Sequence, residues 1–137
     1  MEDDLRKMGF GVSDPAAITL ADSAEIRFLA DLGGDGLVDS LHYYAGSPAG
    51  ASTTPNPADR VLYRVLNGAA PQGMQLGVTE FSLSYFDAEG DSLALPVTPQ
   101  DIRQIRVNLT VESTVAYDAT YARAFAQLRL RPKNLGP

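Results

Sequence analysis

A chain of 137 residues, 45% hydrophobic and 20% charged, has the apolar side chains for one packed domain and too many of them to stay disordered. Its formal net charge of −6 and pI near 4.6 argue against a broad nucleic-acid footprint. It has no cysteine, which excludes disulfides, thiol nucleophiles and thiolate metal sites, and no run approaches the roughly 18 apolar residues of a membrane helix.

In chain order, Glu2-Asp3-Asp4-Leu5-Arg6-Lys7-Met8 predicts a helix end. Leu5 and Met8 share a face, the acids precede the bases as the helix dipole favours, and Gly9 and Gly11 terminate it. A helix this short is marginal alone, because its nucleation cost is spread over few bonds, so the pattern reads as the last turns of a longer one. Val12 to Ser23 reads as a loop with a helical turn at Asp14-Pro15-Ala16-Ala17. Glu25 to Asp31 predicts a strand with Ile26, Phe28 and Ala30 inward. Gly33-Gly34-Asp35-Gly36 reverses the chain and Leu37 to Tyr44 returns as the second arm of a hairpin. Ser47 to Ala58, with Pro48, Pro55 and Pro57, is an exposed loop.

Arg60 to Leu66 predicts a third strand, with Val61, Tyr63 and Val65 on one face and Arg60 and Arg64 on the other. Ala69 to Gly77 reads as a Pro/Gly-rich connection. The two clearest strands follow, one with Phe81, Leu83 and Tyr85 on a single face, the other with Ile105, Val107, Leu109 and Val111. They are predicted to share one antiparallel sheet, across the turn Asp87-Ala88-Glu89-Gly90-Asp91. Thr98-Pro99-Gln100-Asp101 reads as a helical turn that places Ile102 beside Ile105. Tyr117 to Arg131 is a long last strand or hairpin arm, ended by Pro132. Ala122, Ala124, Ala126, Leu128 and Leu130 face one way, the alanines suggesting close backbone approach, and Arg123, Gln127, Arg129 and Arg131 the other.

Candidate chemistry is sparse. Asp31, Asp35 and Asp39 stand at the first, fifth and ninth positions of a stretch with Gly36 at the sixth, which resembles part of an EF-hand calcium loop. Gly33 and His42 occupy the third and twelfth positions, where that loop wants acids, and hairpin turns favour Asp and Gly anyway. A plain turn is the first reading, and calcium at Asp31, Asp35 and Asp39 the second; no other cofactor is expected. Asp87, Glu89 and Asp91 form a second acidic turn of the same kind. His42, the only histidine, has no nucleophile and orienting group beside it, and nothing singles out two of the 17 acids for glycoside cleavage. The expectation is a protein that is not an enzyme. Arg123, Arg129, Arg131 and Lys133 form a basic stripe whose default role is a solvated strand face, with phosphate contact as the weaker alternative.

Several short pieces follow one another in a suggestive order: Asp4-Leu5-Arg6-Lys7-Met8-Gly9-Phe10-Gly11, then Ile26 to Asp31 with Asp35-Gly36 and Tyr43-Tyr44, then Leu62-Tyr63-Arg64. After them come Val78 to Phe81 with Tyr85 to Gly90, Ile102 to Thr110, and Leu128 to Arg131 with Asn134. This order resembles the head of a minor type IV pilin or type II secretion minor pseudopilin of the PilW-like or J-type kind. The resemblance implies an α+β fold: a single pilin-like domain over 1–137, with 1–11 the end of a truncated N-terminal helix packed on antiparallel sheet of about six strands. It also implies a structural subunit of the periplasm or cell surface, anchored in the inner membrane before assembly, that helps initiate or cap a filament. Its implied partners are other minor pilins or pseudopilins and, through the helix that precedes this sequence in the family, an inner-membrane assembly platform, with no small-molecule substrate. From a different class, the alternative is an extracellular β-rich module that binds carbohydrate or another ligand.

Overall fold

The structure, a computed structural model, describes residues 1–13 and 17–136. The period-two alternation is realised in strands β1 (Ile18–Ala21), β2 (Glu25–Ala30), β3 (Asp39–Ala45), β4 (Arg60–Leu66), β5 (Gln72–Phe86), β6 (Ser92–Leu93), β7 (Gln104–Glu112) and β8 (Arg123–Leu130). They form one antiparallel sheet in the order β1-β2-β3-β4-β5-β7-β8, with β6 beside β5. Its inner face carries the apolar alternates: Ile26 and Phe28 of β2, Phe81, Leu83 and Tyr85 of β5, Ile105 and Val107 of β7.

β5 sets the curvature. Its first half pairs with β4 and its second half with β7, and Val78 takes part in both ladders. Gly77 precedes that switch with φ +80°, and a Cβ there would lie 2.5 Å from the Glu112 carbonyl oxygen, so glycine alone fits. A register shift between Val78 and Glu80 adds a bulge, which bends and twists the strand. The sheet curls until the turn between β1 and β2 meets β5: the Leu83 amide donates to the Ser23 carbonyl at 2.8 Å and the Tyr85 hydroxyl to the Asp22 carbonyl at 2.7 Å. The result is a half-barrel.

One helix, α1 (Glu2–Lys7), plugs the barrel's open side, burying Leu5 and, just beyond its end, Met8 among Phe28, Leu41, Tyr43, Ile105 and Leu130. The Tyr43 hydroxyl donates to the Asp4 carboxylate, and Arg64 Nε donates to the same oxygen at 2.8 Å. Burial alone would raise the Asp4 pKa, but the hydrogen bonds from Tyr43 and Arg64, with the charge of Arg64, outweigh it and hold the carboxyl below its ordinary value. Burial, then the Asp4 hydrogen bond, push the Tyr43 hydroxyl up.

The α+β, pilin-like architecture is therefore overturned. The sheet has eight strands instead of about six, and the six-residue α1 is a plug in a curled sheet instead of a helical layer packed across it. The resemblance to a minor pilin or pseudopilin falls with it, since the matching pieces after the short α1 prove to be hairpin, turn and strand signals of a meander. Within the predicted loop 12–23 lies β1, and of the helical turn expected at Asp14-Pro15-Ala16-Ala17 residues 14–16 lie outside the described residues, while Ala17 is buried and its carbonyl accepts from the Leu29 amide. The arginine face of β4 is the one turned inward, with Leu62 buried and Arg64 on Asp4, while Tyr63 packs outward on Tyr44 with ring centroids 5.4 Å apart. β8 starts at Arg123, and Ala124 and Ala126 are exposed, so no close backbone approach explains the alanines.

Candidate ligand groove

Where β5 changes partner, the outer face of the sheet opens into a groove of about 710 Å3. Its floor is sheet and its rims are loop: Glu80 comes from β5, Thr110 and Glu112 from β7, Arg123 from β8, Asn56 from the loop before β4 and Tyr121 from the segment before β8. The alternation that sends Ile105 and Val107 to the core sends Asn108, Thr110 and Glu112 outward.

The groove's polar groups hold one another. Thr110 Oγ1 donates to Glu80 Oε2 at 3.1 Å. Glu112 faces Arg123 across the ladder and accepts from its Nε at 2.8 Å and its Nη2 at 2.5 Å. The other Glu112 oxygen accepts from Asn56 Nδ2 at 3.2 Å, and the same amide lies 3.3 Å from the Ser113 carbonyl. Asn56 thereby ties its Pro-rich loop to the end of β7. Hydrogen bonds from Arg123, then from Asn56, lower the Glu112 pKa. The Tyr121 hydroxyl donates to the Pro55 carbonyl at 3.4 Å, which stands the ring at the rim. Beyond the groove the polar face continues: Gln127 donates to Asn108 at 2.8 Å, Asn108 to Ser82 at 3.3 Å, and Arg106 and Arg129 lie over the Phe86 ring at 4.7 and 4.5 Å.

Residues singled out in the sequence lie elsewhere. Asp31 Oδ1 accepts from the amides of Gly34 at 2.6 Å and Asp35 at 3.2 Å, and Oδ2 from Gly36 at 2.9 Å. Asp35 accepts from the Leu37 amide, and Asp39 from the Leu32 amide and the Asn67 side chain. Asp31 and Asp35 answer amides of their own turn and Asp39 also takes the Asn67 side chain, and among the described residues no group of three His, Asp or Glu is placed to hold a metal ion. Asp87 likewise caps its own turn through the Gly90 and Asp91 amides. His42 Nε2 lies 2.7 Å from Glu25 Oε2, and its ring packs on Tyr44 with centroids 4.9 Å apart. Asn56, Glu80, Glu112 and Tyr121 carried no sequence signal as a set, because they come from four separate segments; only the outward alternation of Thr110 and Glu112 pointed to a polar face. Compared with protein-family models, with curated proteins and with solved structures, the chain matches none, so no relative restores the minor-pilin resemblance that the half-barrel removes.

Proposed function

We propose that this protein is a non-enzymatic binding module whose groove takes a neutral, hydroxyl-rich ligand of the carbohydrate class. The observation that carries the reading is the chain Asn56–Glu112–Arg123 beside the Tyr121 ring. The carboxylates of Glu80 and Glu112 and the guanidinium of Arg123 offer acceptors and donors side by side, which suits vicinal hydroxyls, while the buried Asn56 amide holds Glu112 in place. An aromatic face beside them suits the apolar face of a sugar ring. The polar groups already restrain one another, so little side-chain ordering is left for a ligand to impose. Arg123 balances Glu112 while Glu80 adds a further acid, which disfavours polyanions. A lowered Glu112 pKa also suits a hydrogen-bond acceptor better than a proton donor, whereas cleavage of a glycosidic bond calls for an acid with a raised one.

Titrating neutral di- and oligosaccharides into the labelled protein should shift the amide resonances of Glu80, Thr110, Glu112 and Tyr121 together. Tyr121→Ala and Asn56→Ala should each weaken binding by about tenfold with the fold intact by circular dichroism. No shift at millimolar sugar, or release of reducing ends from the sugar, would remove the proposal.

A further inference from the structure

The free edge of β8 supports an inference independent of the groove. Among the described residues β8 pairs with β7 alone, and Arg123–Gln127 is exposed on both faces. Open edges are ordinarily guarded by charged side chains that project past them. Here the arginines of the strand turn back over the sheet: Arg123 onto Glu112, Arg129 onto Gln104 at 3.1 Å and the Phe86 ring. The edge backbone is left open, and Phe125, 62% exposed, stands between the two arginines on the same face. Charge is also polarised along the chain, since all 17 Asp and Glu precede residue 119 while Arg123, Arg129, Arg131 and Lys133 follow it. Arg106 and Arg129 are direct cross-strand partners, and no acid forms an ion pair with either among the described residues. Like charges in that position repel.

We propose that the β8 edge binds an extended acidic segment of a partner protein, which joins the sheet as a further strand. Backbone pairing supplies the affinity, and strand alternation brings every second side chain of the guest onto the outer face. An acid there stands beside Arg129 and supplies the negative charge that the Arg106–Arg129 pair lacks, and an apolar side chain four positions along faces Phe125. A second copy of this chain is the poorer guest, because its own β8 brings more arginine to a cationic strip.

The test is fluorescence anisotropy with the labelled peptide Glu-Val-Thr-Val-Leu-Val and its counterpart in which lysine replaces glutamate, paired with amide-shift mapping. The acidic peptide should bind about tenfold more tightly than the lysine peptide, shift residues 123–130, and lose that preference at about 0.5 M salt. Arg129→Gln and Phe125→Ser should each weaken it about three- to fivefold with unchanged circular dichroism. Equal binding of the two peptides, shifts confined to the groove, or a dimer of this chain paired through β8 would overturn the proposal. Because the sugar titration reads Tyr121 and Glu80 and this one reads the β8 edge, either reading can fail alone.

Discussion

Arg64 stands on the inward face of β4 next to Leu62, where an unpaired cation would be costly. Asp4, sixty positions earlier, and Tyr43 relieve that cost and fasten α1 to the sheet. The carboxyl of Asp4 titrates below its ordinary 3.8 in the folded protein, so the unfolded chain binds the proton more readily. The stability from this contact is present above the ordinary value and is lost as pH falls through the folded one. Asp4→Asn should therefore lower stability by about 1–3 kcal/mol at pH 7 in urea unfolding, and the gap should close in acid once the parent carboxyl is protonated. A gap unchanged down to pH 2 would show that the charge is irrelevant. None of this was legible in the sequence, because Val61, Tyr63 and Val65 offer as good an apolar face as Leu62 and Leu66. Which face turned inward was decided by a partner from the other end of the domain.

At the scale of the element, β5 behaves as two strands joined by a bend at Gly77. The half containing Phe81, Leu83 and Tyr85 was readable, since one face is buried and the other is not. Gln72 to Leu76 is exposed, so no alternation marks it, and its glycines made it look like a connection. Gly77→Ala places a Cβ against the Glu112 carbonyl on backbone that side chains rarely adopt, and should cost at least about 2 kcal/mol in thermal unfolding. Gly68→Ala has a similar φ of +70° but open space around the added carbon, so it should cost no more than about 1–2 kcal/mol. Equal losses would mean that the bend tolerates side chains and does not set the curl.

At the scale of the molecule, the half-barrel exists because the turn between β1 and β2 lands on β5. Tyr85→Phe keeps the ring and removes the hydrogen bond to Asp22, so it should cost about 1 kcal/mol and speed hydrogen exchange at the Leu83 amide. Exchange at Leu83 that matched the parent would show that the closure is held by side-chain packing alone. Strand alternation predicted the β2–β3 hairpin and the β5–β7 pairing, but curvature depends on a bulge and a glycine whose effect is global, and for that reason a helix packed on antiparallel sheet of about six strands was expected instead of a curled one. The groove was hidden as well: the β7–β8 hairpin sets Tyr121 near Glu112, but Asn56 reaches Glu112 only because β5 pairs with β4 and then with β7 at Val78. β5 is fastened to β4 by its first half and to β7 by its second, so tension between its two ends loads both ladders lengthwise. Neither can peel open one bond at a time. A molecule built this way should resist stretching along that strand far better than pulling across it, a directional toughness set by where one strand trades neighbours.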